Sequence, residues 1–150
     1  MGISNCYVND EHSKLVSVVV GIGNSWGPTP SAEDAVDPKS REHILAGTYP
    51  NEADVCLELE KLVRVLENEG VIVYRPKLVE RLNQVFARDV GVVIEDKLIR
   101  TSMIADRAPE WNGIIPIFSS LDKENILLPP DGVRIEGGDV MPMGSEVWVG

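Results

Sequence analysis

Cysteine and histidine are both scarce, with two of each among 150 residues. Two cysteines in a chain of this length build no disulfide scaffold, so free thiols and a reducing cytoplasm are the expectation. Positive charge is also in deficit: 14 basic residues face 24 acidic ones, for a formal charge of -10. A phosphate backbone needs a lysine- and arginine-rich surface, so nucleic acid is not expected as a main partner. The same balance disfavours an anionic membrane surface. No stretch approaches the roughly 18 apolar residues of a membrane span. The opening Met1 to Cys6 lacks the charged and apolar regions of a signal peptide. Cys6 stands where a myristoylation pattern has Ser or Thr. A glycine-rich phosphate loop is missing as well, since Gly21-Ile22-Gly23 has no third glycine.

What is present suits one domain of mixed α/β class. Leu15 to Gly21 clusters valines and reads as a first strand, closed by Gly21, Gly23, Gly27, Pro28 and Pro30. Ser31 to Pro50 reads as a long polar connection with a short helix near Arg41 to Ala46. The clearest helix runs from about Glu52 to Glu69, with Asn51 as N-cap and Gly70 as its stop. Val55, Cys56, Leu59, Leu62, Val63 and Leu66 form its apolar stripe. Val71 to Tyr74 follows as a strand. Val90 to Ile94 and Leu98 to Thr101 read as two strands around a turn at Glu95, Asp96 and Lys97. Ala108 to Ser120 reads as a helix weakened by Gly113 and Pro116. Ile126 to Leu128, Val133 to Ile135 and Glu146 to Val149 read as short strands, too short and turn-rich for a doubly wound sheet. The last of them ends at Val147-Trp148-Val149-Gly150 without a polar tail, which reads as an interrupted chain.

Two clusters could carry chemistry. One is Asn83-Gln84-Val85-Phe86-Ala87-Arg88-Asp89, leading into the strand at Val90. The other is the glycine turn Glu136-Gly137-Gly138-Asp139. Each places carboxylates at a strand end or a turn, where glycine allows close backbone approach. Carboxylates so placed can grip a planar guanidinium through two hydrogen bonds. Taken separately, Arg88-Asp89 is equally a surface ion pair worth about 0–1 kcal/mol, and the second cluster a solvated turn. Asp89, Glu136 and Asp139 could offer oxygen to a hard cation, but no histidine or cysteine lies near them in sequence. The reading is no metal and no cofactor. His12 sits in a polar turn, His43 in a helical stretch, Cys56 on the apolar stripe, and Cys6 near a terminus expected to be mobile. None forms a pattern for nucleophilic catalysis.

Read together, the clusters gain a family meaning. Phe86-Ala87-Arg88-Asp89, then Met103 with Arg107 and Glu110, then Glu136-Gly137-Gly138-Asp139-Val140 resembles the guanidino-group-modifying superfamily. That superfamily holds arginine deiminases, dimethylarginine dimethylaminohydrolases and glycine amidinotransferases. Leu15 to Gly21 resembles its first strand, and Asp37 to Pro50 an insert of amidinotransferase-like members. The resemblance covers nearly the whole chain. It implies the five-bladed α/β propeller, or pentein fold, with residues 1–150 forming an incomplete, N-terminal part of it. It also implies a cysteine that attacks the guanidinium carbon, a histidine acid and base, and carboxylates that hold the substrate.

Carried over by position, Asp89 matches the substrate-gripping aspartate, and Glu136 the acid that binds guanidinium nitrogens beside the histidine. Asn83 and Phe86 match the pocket wall. Arg88, Gly137, Gly138 and Asp139 match the flanking motif in a mainly architectural role, Arg88 and Asp139 on the substrate side. Arg107 and Glu110 match a pattern without an assigned role. The family's histidine and nucleophilic cysteine belong to the C-terminal half, and His12, His43, Cys6 and Cys56 do not match them. The implied partner is a small arginine-like guanidino compound, with the missing half or a second copy as a further partner. The expected function is therefore half of an amidino-transferring or guanidine-hydrolysing enzyme, inactive by itself. A non-catalytic guanidinium-binding or oligomerising module is the alternative, and a decayed remnant a third.

Overall fold

The segment from Asn51 shows how local chemistry builds this fold. The Asn51 side chain accepts a hydrogen bond from the Asp54 backbone N–H at 2.9 Å, capping helix α2 (Glu52–Asn68). Gly70, at φ +79°, turns the chain out of the helix and into strand β2 (Ile72–Tyr74). Strand β2 pairs in parallel with β1 (Ser17–Val19), so the sequence between them crosses over and includes α1 (Pro38–Leu45) and α2. This computed structural model describes residues 2–25, 27–35 and 38–150. Met1 and Asp37, which open two of the stretches discussed above, lie outside the described residues.

A second sheet follows. Helix α3 (Ala87–Val90) is a single turn that runs straight into β3 (Gly91–Ile94). A reversal at Glu95, φ +51°, returns the chain as β4 (Lys97–Arg100), antiparallel to β3. Strand β5 (Ile126–Leu127) joins the far side of β4 in parallel. A third sheet is the antiparallel hairpin of β6 (Val140–Met143) and β7 (Glu146–Val149), turned at Gly144. Three small sheets, rather than one wide one, make a mixed α/β architecture.

Between β4 and β5 the chain winds through a 3-10 turn at Ala108–Glu110, helix α4 (Trp111–Ile114) and a second 3-10 turn at Ile115–Phe118. The expected single helix is thus divided. Pro116 cannot donate the backbone bond that a continuous helix needs there. The fragments still work together: Trp111, Ile114, Ile117, Phe118 and Leu121 pack with Val90, Leu98 and Met103 as the main core. Ile3 and Cys6 pack against that core, and the Ile3 backbone N–H bonds Ile117 O at 2.7 Å. The N-terminal segment is therefore tied down, contrary to the expected mobile terminus.

Other expectations shift at their boundaries. The first strand is shorter than Leu15 to Gly21, although the Val20 N–H still bonds Tyr74 O at 3.0 Å. Val133 to Ile135 forms no strand, and only Ile135 bridges to Ser102. Strand β6 was not expected at all, because Pro142 argues against a strand interior. It is accommodated in a two-stranded sheet, where the outer face of the backbone needs no partner. Among the described residues no helix is long and apolar enough to cross a membrane.

Candidate guanidinium-binding site

The two acidic clusters meet because their backbones pack together. A Cβ on Gly137 would lie 2.1 Å from Arg88 O, and one on Gly138 would lie 2.6 Å from Asp89 Oδ1. Side chains at either position would push the glycine turn away from α3. The glycines therefore bring Glu136 and Asp89 to one place through missing volume rather than unusual backbone angles. The core anchors the same place. Val90 follows Asp89 and is 2% exposed, and buried Trp111 follows Glu110.

At the centre lies a guanidinium supplied by the chain itself. Arg107 Nε donates to Glu110 Oε1 at 2.8 Å and Nη2 to Glu110 Oε2 at 3.2 Å, a two-point grip. Arg107 Nη1 donates to Asp89 Oδ2 at 3.0 Å and stands 3.7 Å from Glu136 Oε2. Asp89 is further fixed through its backbone, whose carbonyl accepts from Thr101 Oγ1 at 2.6 Å. Three carboxylates against one guanidinium leave a surplus of negative charge. Glu110 is only 2% exposed, and its burial pushes the carboxyl pKa up, opposed in part by Arg107 and aided by Asp89 and Glu136. Arg107 is held above the usual arginine range, chiefly by its hydrogen bond to Glu110.

Not every expected site residue joins this cluster. Arg88 turns away: its guanidinium bonds Glu11 at 2.9 and 3.3 Å and the Val140 carbonyl at 2.9 Å. It pins the N-terminal segment to α3 and β6, and the hydrogen bond to Glu11 raises its pKa. Asn83 uses its side-chain oxygen locally, accepting from the Val85 N–H at 3.1 Å. Phe86 is 57% exposed and lines an apolar groove of about 300 Å³ with Val19, Leu59 and Leu62. Asp139 is exposed, and its backbone carbonyl accepts from the Gly150 N–H at 2.9 Å. Asp89 and Val90 lie in the short helix α3, and the strand expected from Val90 begins at Gly91.

Sequence reasoning left Glu110 and Arg107 without a role, yet they organise the site. The available signal was their spacing, Arg-x-x-Glu, which places a pair on one side of a helical turn. Among the described residues, no histidine or cysteine hydrogen bonds to Asp89, Glu110 or Glu136. His12 pairs with Asp10 at 3.3 Å, His43 with Thr48 at 2.9 Å, and Cys6 Sγ lies 3.9 Å from Asp96 O. Cys56 is half-buried against Gly23. Among the described residues no group of histidine, cysteine and carboxylate side chains is arranged to hold a metal ion.

Comparison with known proteins places the fold. No protein-family model and no curated protein matches the sequence. Solved structures do. The chain superposes on an inosamine-phosphate amidinotransferase from Streptomyces griseus with a TM-score of 0.64 at 18% identity, over 98% of this chain and 55% of that one. It superposes on an amidinotransferase of saxitoxin biosynthesis from Microseira wollei with a TM-score of 0.64 at 19% identity, over 96% of this chain and 53% of that one. The chain thus shares the fold of amidinotransferases, as the sequence resemblance implied, and spans about half the length of these two.

Proposed function

We propose that this chain supplies the guanidinium-gripping part of a guanidino-group-modifying enzyme, built as the N-terminal part of a five-bladed pentein propeller. One observation carries the proposal. Asp89 and Glu136, far apart in sequence, converge on a single guanidinium, that of Arg107. Their placement is therefore compatible with this planar cation. Asp89 Oδ1 and Glu136 Oε1 make no hydrogen bond among the described residues, and the surplus negative charge favours a second cation.

A guanidinium is charged throughout the accessible pH range and is a poor electrophile. Carboxylates that hold its nitrogens fix the plane of the group and expose its central carbon to attack along the perpendicular. In the complete enzyme a cysteine thiolate outside these residues bonds to that carbon. The leaving amine takes a proton from a histidine, and the carbon–nitrogen bond breaks. The resulting S-amidino enzyme then passes its group to an acceptor amine or to water. The fold shared with two amidinotransferases supports the first of these acceptors. Asp89 and Glu136 bind and orient in both steps, and Arg88 and Asp139 support them from outside the cluster. Asn83 and Phe86 shape the neighbouring wall. Alone, the chain should release no product from an arginine-type substrate.

Calorimetric titration with L-arginine tests the binding claim. Wild type should bind weakly and saturably. Asp89→Asn and Glu136→Gln should each weaken binding roughly 10- to 100-fold, the loss of one charge-assisted hydrogen bond. No saturable heat for wild type, or equal heats for all three proteins, would refute it.

A further inference from the structure

A second feature lies beside the acidic cluster but is separate from it in chemistry. A cavity of about 200 Å³ is lined by Val90, Arg100, Thr101, Ser102, Met103 and Trp111, among others. Neither Asp89 nor Glu110 lines it. Arg100 is the last residue of β4, and its guanidinium carbon stands 5.4 Å from the centre of the Trp111 ring. Trp111 is itself buried and belongs to the core, so the platform under Arg100 is rigid. An arginine laid on an aromatic face keeps its N–H donors at the rim, free to bind in the plane of the group.

Among the described residues those donors meet no protein acceptor. Arg75, Arg88, Arg107 and Arg134 each donate to a protein oxygen. Among the described residues no hydrogen bond or ion pair engages the Arg100 guanidinium, although the residue is half-buried in a protein with 24 acidic residues. The Ser102 hydroxyl, on the same wall, likewise donates to no acceptor among the described residues. The neighbouring Thr101 hydroxyl is already spent on Asp89 O. A half-buried cation and a hydroxyl lining one small space form half of an ionic interaction. The missing half is negative, and the space is too small for most drug-sized ligands but admits a small ion or an end group.

We propose that this cavity binds a small oxyanion, a carboxylate or phosphate group, through the in-plane edge of Arg100 and the hydroxyl of Ser102. The site does not depend on Asp89 or Glu136 gripping a guanidinium. With a formal charge of -10, the protein repels anions in general, so saturable anion binding requires a local cation.

The test uses the full chain carrying Trp26→Phe and Trp148→Phe, which leaves Trp111 as the sole tryptophan reporter. Sodium phosphate and sodium acetate are titrated separately at constant ionic strength, by tryptophan emission and by calorimetry. Saturation with at least one anion is expected, and which one saturates identifies the source of the negative group. Arg100→Met should abolish it. Arg100→Lys, which keeps charge but loses the planar fork, should weaken it about 10-fold, and Ser102→Ala should weaken it several-fold. If Arg100→Met misfolds by circular dichroism, the Lys and Ala variants decide. No saturation by either method, or variants that bind as wild type does, would overturn the proposal.

Discussion

Glu110 is almost entirely withdrawn from water and satisfied by one partner, so it shows most clearly what the cluster costs and contributes. Removing it leaves Arg107 partly buried with Asp89 at 3.0 Å and Glu136 at 3.7 Å as its remaining partners. Glu110→Ala should destabilise the protein by roughly 3 kcal/mol, the lower part of the range for breaking a buried pair. Chemical denaturation would measure this, and a loss within experimental error of zero would contradict it. Burial holds the Glu110 pKa above its unfolded value. The folded protein therefore retains this proton at pH values where the unfolded chain has released it. Its contribution is fully present below the unfolded pKa and is lost as pH rises through the raised folded pKa. Glu110→Gln should remove that downward slope. Denaturation curves at several pH values check it, and a slope unchanged in the variant would contradict the assignment.

At the scale of elements, the glycine turn after Glu136 and helix α3 form one joint. Gly137→Ala places a methyl group 2.1 Å from the Arg88 carbonyl, so the turn must move. The expected cost is about 1–3 kcal/mol, as for other overpacked contacts. Because the same movement separates Glu136 from Asp89, L-arginine affinity should fall as well, although neither carboxylate is altered. Gly132→Ala provides the contrast: its Cβ meets nothing within 4 Å, and its φ of +82° makes the change a backbone strain outside the joint. That variant should lose stability without losing affinity. Equal affinity losses in both would show that the joint has no special role.

The elements that were legible in the sequence are those with local causes. Helix α2 was readable because a cap, a periodic stripe and a terminating glycine agree within one segment. The β3–β4 hairpin was readable because two apolar runs flank a short polar turn at Glu95 and Asp96. Pro142 hides strand β6, and Ala108 to Ser120 reads as one helix because its apolar pattern survives the break at Pro116. The parallel pairing of β1 with β2 depends on contacts far apart in sequence, which no local pattern reports. The site was legible only in part. Spacing could not say that Asp89 and Glu136 meet; the resemblance implied a shared role. Nothing in the local pattern of Arg88 showed that it faces Glu11 instead.

At the scale of the whole molecule, apolar side chains remain on the surface. Strand β7 exposes Trp148 at 56% and Val149 at 68%, and Phe86 is exposed beside an apolar groove. Water contact over such surfaces is unfavourable, and association removes it. The isolated chain should self-associate in a concentration-dependent way, as seen by sedimentation velocity. A single monomeric species across the accessible concentration range would contradict this.

The central claim is that Asp89 and Glu136 together receive a guanidinium. The most direct measurement follows their side-chain carboxyl carbons by NMR while methylguanidinium is added at constant ionic strength. The account predicts that both signals shift along one saturating curve, and that Asp89→Asn abolishes the response of Glu136. Signals that stay still, or that drift without saturation as exposed carboxylates elsewhere do, would contradict it.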